Sequence, residues 1–335
     1  SHGIYVTSNG TMMNNGELNI VMDYTGWGAA YAIAAQNGNV VLGEDSTTAI
    51  TISSGGTTGI YAAAGSQVTS NGDLKITAAG GNAWSSAISA DAGKIELGSK
   101  SKTDINVTGD GGKGLSAVNS GAITGSGLLN IESSGQYGSG IEASGNGEIY
   151  FMDGSEVNVI TTGANASGVL AEGGIVSSVG DLTIITKGQS SHGVMAGADG
   201  EVKLGYGSDV KITTDGSGSH GVYTNGTDSK TTIGGTLVIT TTGAQDSHGI
   251  AAADGGQVTL TDSSDTQIET SGSRSHGFYA AGGTITGSGK VDITTAAAET
   301  SGLFAQNGGK IVQSGDLIVT TSGAAAHGVY AGGAT

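Results

Sequence analysis

The chain has 335 residues, of which 64 are glycine and none is proline or cysteine, and its formal net charge is −17. Its mean hydropathy is close to zero and only 12% of its residues are charged, whereas a disordered chain combines low hydrophobicity with high charge. The single arginine, Arg274, leaves no basic cluster for nucleic acid or an anionic membrane surface, and the absence of cysteine excludes disulfides and thiolate chemistry.

An internal repeat runs along the whole chain. The sequence Ser-His-Gly followed by an apolar residue begins at positions 191, 219, 247 and 275, so these copies lie 28 residues apart. Weaker copies extend the repeat in both directions at intervals of 25 to 29 residues, about 27 on average. We call the small residue in the glycine position of each copy the anchor, and the anchors are Gly3, Ala32, Gly59, Ala87, Gly114, Gly140, Gly168, Gly193, Gly221, Gly249, Gly277, Gly302 and Gly328. A period of this length is typical of solenoid proteins.

Each unit predicts three short strands in the same order. The first strand follows the anchor, because the next residue is always apolar and the residue two further on is usually alanine, as in Ile60 and Ala62. The second and third strands carry the same alternation, as in residues 202–204 and 210–212. Apolar residues at every second position indicate strands with one buried face. Glycine interrupts every window that could be helical, and threonine and valine dominate the periodic segments, so no helix is predicted.

Two types of unit alternate from Gly3 onward, first short and then long. The long units carry a polar, hairpin-like excursion between the second and third strands, as in residues 97–105, 204–210 and 260–268. The short units read Gly-Asp-Leu at the same place, beginning at residues 72, 180 and 315. The alternation breaks only at the end, where Gly277 and Gly302 both open short units. Alternate coils should therefore project loops on one side of the fold, about 9.6 Å apart.

These observations predict an all-β fold, a right-handed parallel β-helix of about 12 coils with about 27 residues and three short strands per coil. At one strand spacing per coil the rod would be about 58 Å long. The strand signals run from Ile4 to Val329 without a break in composition, so residues 1–335 are predicted to form a single domain. Neither end shows a capping unit, and we expect the native array to be longer.

A longer pattern surrounds several anchors. The pattern begins with a small residue, then any residue, then glycine, then valine, isoleucine or phenylalanine. It continues with an aromatic or small residue and ends with Gly-Gly, Asn-Gly or Asp-Gly. Copies lie at residues 219–224, 275–283 and 326–333. In this pattern the whole chain resembles the passenger domains of type V autotransporters, in the pertactin-like and self-associating adhesin class. The resemblance implies a bacterial surface protein exported through the outer membrane by a C-terminal β-barrel, which would lie beyond Thr335. It also implies adhesion, through self-association and biofilm formation or through binding to a host surface.

Two other functions remain open for such a rod. One is a passive stalk that presents a distal domain, and the other is a polysaccharide-acting enzyme. Ser-His-Gly resembles the Gly-His-Gly of β-helical pectin hydrolases, but the Asp-Asp pair and the Arg-x-Lys element of those enzymes are absent from this sequence. The 29 acidic residues are spread along the chain rather than paired, so we predict no enzyme activity, no catalytic residue and no cofactor. Asp209, Asp262 and Asp265 in the long units leave weak calcium binding open.

All six histidines lie immediately before an anchor, and they are His2, His192, His220, His248, His276 and His327. Four of them fall on consecutive coils and should stack about one strand spacing apart. A linear ladder does not converge its lone pairs on one point, so we predict no metal site and a corner position copied by duplication. Mutual repulsion of the protonated rings should lower their pKa values.

A stripe of mostly large apolar residues lies two positions after the anchors. Its predicted outward members are Tyr5, Tyr61, Leu170, Met195, Tyr223, Tyr279, Phe304 and Tyr330. An exposed aromatic stripe can bind sugar rings or another rod, although outward residues also pack between coils. We predict an adhesive stripe formed by Tyr61, Met195, Tyr223, Tyr279, Phe304 and Tyr330. The expected partner is a copy on a neighbouring cell or a host protein or glycan; nucleic acid is not expected, and no segment should span a membrane as a helix.

Overall fold

The computed structural model describes residues 2–23, 29–53, 55–79 and 85–333. Within these ranges the chain forms 37 β-strands and no helix. The alternating burial seen in most strands matches the period of two in the sequence, since successive side chains of a strand point to opposite faces.

The strands follow one another in chain order with short connections. The first thirteen are β1 (His2–Thr7), β2 (Thr11–Asn14), β3 (Glu17–Met22), β4 (Ala30–Gln36), β5 (Asn39–Leu42), β6 (Thr47–Ile52), β7 (Thr57–Ala62), β8 (Gln67–Ser70), β9 (Asp73–Ala78), β10 (Ser86–Asp91), β11 (Lys94–Leu97), β12 (Lys102–Val107) and β13 (Lys113–Val118). The next twelve are β14 (Ala122–Gly125), β15 (Leu128–Ser133), β16 (Ile141–Ser144), β17 (Glu148–Phe151), β18 (Glu156–Thr161), β19 (Val169–Glu172), β20 (Ile175–Ser178), β21 (Asp181–Thr186), β22 (Val194–Gly197), β23 (Glu201–Leu204), β24 (Asp209–Thr214) and β25 (Val222–Asn225). The last twelve are β26 (Lys230–Ile233), β27 (Thr236–Thr241), β28 (Ile250–Ala253), β29 (Gln257–Leu260), β30 (Asp265–Thr270), β31 (Phe278–Ala281), β32 (Thr284–Gly287), β33 (Lys290–Thr295), β34 (Ser301–Gln306), β35 (Lys310–Gln313), β36 (Leu317–Thr321) and β37 (His327–Ala331).

Every third strand belongs to the same sheet. Sheet A contains the 13 strands from β1 through β4 and β7 to β37, sheet B the 12 strands from β2 to β35, and sheet C the 12 strands from β3 to β36. All neighbouring strands within a sheet are parallel, as in the pairs β10 with β13 and β24 with β27. The chain is therefore a β-solenoid of about 12 coils with three strands per coil, as the repeat predicted.

The core is a set of ladders in which equivalent residues of successive coils lie next to each other. Ile60, Ile88 and Leu115 are in register in sheet A, and all three are fully buried. One continuous cluster of buried residues extends from Val6 to Leu303. Each fully buried Ile, Leu or Val contributes roughly 1.5–3 kcal/mol, so stability comes from repetition rather than from one large core.

The anchors are small because the chain passes close to two neighbours at this point. A Cβ atom on Gly221 would lie 2.4 Å from Cγ2 of Ile239 in sheet C and 2.7 Å from the carbonyl oxygen of Gly249 on the next coil. Both distances are shorter than a van der Waals contact, and the nearer atom is a buried, branched side chain. Ala32 and Ala87 are the two anchors that carry a methyl group, and both are fully buried.

The alternation of unit types is confirmed and lies in the turn between sheets B and C. This turn has four residues in the long units, at 43–46, 98–101, 152–155, 205–208 and 261–264. It has two residues in most short units, for example 71–72 and 126–127, and three in the last one, 314–316. The expected hairpin-like excursion is wrong in one respect, because each long unit closes as a reverse turn. In the turn 98–101, the backbone N–H of Ser101 donates to the carbonyl oxygen of Gly98 at 3.0 Å, and the Ser101 hydroxyl donates to the same oxygen at 2.6 Å.

Candidate functional site

The outer face of sheet A carries two parallel rows of side chains. We call the position before each anchor the histidine row, and it contains His2, Tyr31, Thr58, Ser86, Lys113, Ser139, Ser167, His192, His220, His248, His276, Ser301 and His327. We call the position two after each anchor the aromatic row, and it contains Tyr5, Ala34, Tyr61, Ser89, Ser116, Glu142, Leu170, Met195, Tyr223, Ala251, Tyr279, Phe304 and Tyr330. The parallel register places the members of the aromatic row side by side from β1 to β37.

Four imidazole rings on consecutive coils form a stack. The ring centroids are 4.9 Å apart for His192 and His220, 4.8 Å for His220 and His248, and 5.0 Å for His248 and His276. The ring planes deviate from parallel by 9° to 16°. This spacing is that of neighbouring strands, as the sequence predicted, because each coil adds one ring at the same position.

Each of these imidazoles is also tied to the backbone of the next coil. The Nδ1 atom of His192 accepts a hydrogen bond from the backbone N–H of His220 at 3.1 Å. In the same way Nδ1 of His220 accepts from the N–H of His248 at 3.1 Å, and Nδ1 of His248 accepts from the N–H of His276 at 3.0 Å. The row ends where Nδ1 of His276 accepts from the N–H of Ser301 at 2.9 Å. Since Nδ1 is the acceptor in every case, the rings are neutral and carry their proton on Nε2.

Burial lowers the pKa of all four histidines. Removal from water brings the pKa of His192 and of His276 to about 4, and in His276 the nearby Asp246 carboxylate opposes the shift. For His220 and His248, burial is again the main cause of a pKa well below the usual value, followed by repulsion from neighbouring imidazoles. The predicted direction is therefore confirmed, but desolvation rather than mutual repulsion is the leading cause.

The aromatic row packs against the histidines. Tyr279 stacks on His248 with a centroid distance of 4.1 Å, Phe304 stacks on His276 at 4.2 Å, and Tyr330 stacks on Phe304 at 4.6 Å. Tyr223 lies tilted against His192 at 4.7 Å. Tyr223, Tyr279 and Phe304 are half-buried, and Tyr330 is 39% exposed. We call the rings from His192 to Tyr330 the ring ladder.

The other residues of the predicted adhesive stripe lie outside the ring ladder or at its edge. Tyr61 belongs to a second ring cluster near the N-terminus, where it stacks on Tyr31 at 4.3 Å and donates to Asp91 at 3.1 Å. Burial, followed by the Asp91 charge, raises the pKa of Tyr61 well above its usual value. Met195 is half-buried at the start of the ring ladder, in the coil of His192. From Met195 toward the C-terminus the stripe is interrupted only by Ala251, and its adhesive role stays a prediction.

Between the two groups of rings the outer face of sheet A carries mainly serine. Over β10, β13, β16 and β19 the two rows contribute Ser86, Ser89, Lys113, Ser116, Ser139, Glu142, Ser167 and Leu170, and we call this region the serine gap. Its part from Lys113 to Met195 encloses a groove of about 420 Å³. Lys113 and Glu142 form an ion pair in which the ammonium donates to Oε1, and Glu142 is only 7% exposed.

Sequence reasoning missed this ion pair because it treated the acidic residues as spread along the chain and did not assign them to rows. Glu142 instead occupies the aromatic row, and Lys113 occupies the histidine row one coil earlier. The sequence did contain a signal for the ion pair. Lys113 lies one position before its anchor and Glu142 lies two positions after the next anchor, which places a cation and an anion on adjacent coils of the same face. Asp73 and Asp316, by contrast, are exposed.

Metal binding has no visible site in the described ranges. No group of three or more His, Asp or Glu side chains among these residues is placed to hold an ion. Weak calcium binding was considered for three aspartates of the long units. Asp265 lies 3.3 Å from the Lys290 ammonium, Asp262 is exposed, and Asp209 follows a four-residue turn.

Comparison of the chain with protein-family models, curated proteins and solved structures found no significant match. In the described residues, no helix is long and apolar enough to cross a bilayer. By its fold the protein is a three-sheet parallel β-solenoid. What its outer face can bind depends on the side chains of the ring ladder and the serine gap.

Proposed function

We propose that this chain is an adhesive segment of a bacterial cell-surface rod, of the autotransporter passenger type, that acts through weak and repeated side-to-side contacts. The observation that carries the proposal is the ring ladder, whose partly exposed aromatic side chains lie in one row of sheet A. They follow at one strand spacing from Tyr279 to Tyr330 and at two between Tyr223 and Tyr279, where Ala251 intervenes. The resemblance of the repeat to autotransporter adhesins supports a location outside the cell, reached by export through the outer membrane.

Repetition gives such a face its strength. A single partly exposed tyrosine contributes little, but a second rod that meets one ring meets the next one or two coils further along, at about 4.8 or 9.6 Å. Later contacts are then intramolecular, so avidity exceeds the affinity of any single contact. Tyr223, Tyr279 and Phe304 are held in place by their neighbours, so they lose little side-chain entropy when a partner binds.

Charge sets the conditions for contact between two copies. Each chain carries a net charge of −17, so two rods repel each other at low salt. Physiological salt screens this repulsion beyond about 8 Å, whereas contacts between rings are unaffected. Association between copies should therefore strengthen as the salt concentration rises from low to physiological values.

The passive stalk is the second candidate function, and one observation favours it. The rings stack on each other and on buried histidines, so their presence is explained by packing between coils even without a partner. Catalysis is the weakest candidate, because the most buried acid of the groove, Glu142, is engaged by Lys113. Release of reducing sugars from a polysaccharide by the purified chain would contradict this ranking.

Display of the chain on bacterial cells that do not clump by themselves tests the proposal. We expect clumping, which the double substitution Tyr223→Ser and Tyr279→Ser weakens. The matched control is Tyr150→Ser with Tyr206→Ser, since these tyrosines are exposed on sheet B and on a long turn. If cells neither clump nor bind any host protein or glycan, the stalk replaces the adhesin. Binding to a host surface without clumping would identify the partner as the host rather than a second copy.

A further inference from the structure

The outer face of sheet A carries a groove of about 420 Å³ in the serine gap and another of about 340 Å³ beside the ring ladder, where His276 and Tyr279 line it. The groove in the serine gap differs in that no ring stack lies in it. On its C-terminal side the ring ladder begins at His192, and on its N-terminal side Tyr61 closes the other ring cluster. From Lys113 on β13 to His192 before β22 the groove spans three coil steps, or about 14 Å. Its floor contains Ser139 and Ser167, both almost fully buried.

A buried ion pair forms one end of this groove. Taking a carboxylate and an ammonium out of water costs several kcal/mol, so such a pair is poor support for stability as its only role. Apolar side chains would fit this face, because Leu170 and Met195 occupy the same row on the next two coils. Glu142 accepts from Lys113 through one oxygen, and a carboxylate has about four acceptor sites. The pair therefore places a fixed acceptor at the edge of the groove.

An exposed tyrosine in an unfavourable backbone conformation forms one wall. Tyr137 has a φ of 57° and is 66% exposed, and it is the only aromatic residue with a positive φ in the described part of the chain. The equivalent corner residues on the next two coils are Asn165 and Ser190, which also line the groove. Asparagine tolerates this conformation, whereas an ordinary side chain pays roughly 1–2 kcal/mol for it. The same corner has a positive φ in later coils, where Arg274 and Glu299 occupy it, so the conformation belongs to the fold. What distinguishes Tyr137 is an exposed aromatic ring beside the groove.

We infer that this groove binds a neutral oligosaccharide of two to three sugar units, with one sugar ring packed on Tyr137 and its hydroxyl groups donating to Glu142. The volume of about 420 Å³ lies in the range of small-molecule sites. Sugar hydroxyls both donate and accept, which matches the carboxylate, the Asn165 amide and the serine hydroxyls of the lining. Tyr137, Leu170 and Met195 supply the apolar surface that the faces of a sugar ring need.

Two other ligands are less suited to the groove: its charge disfavours an acidic sugar, and the strand pairing disfavours an extended peptide. Besides the Lys113–Glu142 pair the groove contains Glu172, so its charge is negative and an acidic sugar is repelled. An extended peptide binds a sheet by pairing with an open strand edge. At the groove, β16 pairs with β13 on one side and β19 on the other, so no edge is open.

Calorimetry on the purified chain tests the inference with cellotriose, maltotriose and triacetylchitotriose, and with trigalacturonic acid as the charged comparison. We expect at least one neutral trisaccharide to bind with a millimolar dissociation constant and the acid not to bind. Tyr137→Asn, which copies Asn165, should weaken binding about tenfold, or about 1.4 kcal/mol. Glu142→Gln should also weaken it. Tyr206→Ser, an exposed tyrosine on a long turn, is the matched control and should change nothing.

The inference is overturned if no neutral trisaccharide binds, if Tyr137→Asn leaves binding unchanged, or if trigalacturonic acid binds more tightly than the neutral sugars. Thermal melting of each variant separates lost binding from lost structure, and Tyr137→Asn is chosen because it suits the local backbone. The inference deepens the proposed function, since a glycan is one of the partners considered there. The two fail separately, because clumping of displaying cells depends on Tyr223 and Tyr279, whereas sugar binding depends on Tyr137 and Glu142.

Discussion

Sheet A has two regions that share one backbone and one register but differ in what covers them. From β22 to β37 the outer face is covered mainly by its own rings, which stack at distances of 4.1 to 5.8 Å. From β10 to β19 the same positions hold mainly serines, and a groove remains. A groove of about 340 Å³ also lies beside the rings, so the two regions differ in the chemistry of their grooves rather than in having one. In a solenoid the inner residues fix the fold, whereas the outer rows decide separately which side chains each coil offers to a ligand.

Acid should affect the two regions most differently. The pKa of His192 and of His276 is about 4 in the folded chain against a usual value of 6.5, so the unfolded chain binds more protons between these values. Each of these neutral histidines stabilises the folded chain fully above pH 6.5. The free energy of unfolding falls by about 3 kcal/mol for each histidine as pH falls toward 4. Urea unfolding at pH 7 and pH 5 should show this loss, and hydrogen exchange should locate it between β22 and β34.

The double substitution His192→Asn and His276→Asn is the control for this acid effect. An asparagine side-chain oxygen can accept the same backbone N–H and has no proton to gain. The substitution leaves every carboxylate of the chain in place, so the difference from the unmodified chain reports on these two histidines. A pH dependence equal to that of the unmodified chain would show that the histidines are not responsible.

The ion pair of the open region gives the next largest effect. Lys113→Met removes the cation and leaves the Glu142 carboxylate buried, and removal of one partner of a buried pair costs about 3–5 kcal/mol. Adding Glu142→Leu, which copies Leu170 of the next coil, should recover most of the loss. Denaturant unfolding of the single and double variants measures both steps. A double variant as unstable as Lys113→Met alone would mean that Glu142 is not the cause.

The smallest expected effect is a gain in stability. Tyr137→Asn replaces a residue that is strained at positive φ by one that tolerates it, so the free energy of unfolding should rise by about 1 kcal/mol. A rise in the melting temperature would check this. The same change at Tyr150, whose φ is not positive, should give no gain. Stability that falls in Tyr137→Asn would show that the ring packs on the fold instead of serving a ligand.

Most of the fold could be predicted because it depends on rules that act on every coil. The close approach at Gly221 requires a small residue in each repeat, so the anchors gave the coil length and the strand order. The four-residue turns were visible as extra polar residues. The hydroxyl contact made by Ser101, and by its equivalents Ser46, Ser155 and Ser264, cannot be read from spacing alone.

The candidate site was predicted only in part, because it depends on contacts between rows. The stack of His192 to His276 followed from the repeat, but the bonds to Nδ1 require the ring orientation. The pairing of Lys113 with Glu142 joins residues 29 positions apart in two different rows. Both residues depart from the residue types that are usual in their rows, so the repeat does not predict that they meet.

The alternation of two-residue and four-residue turns makes the smallest translational unit of the surface two coils, or about 9.6 Å, rather than one. Two rods that lie side by side along this edge therefore have a set of nearly equivalent alignments that differ by whole steps of this length. If two rods associate in this way, we expect a pulling force to shift them by one step before it separates them. The final connections at 288–289 and 314–316 break the pattern, so an alignment shifted past them would not match the turn lengths of the rest.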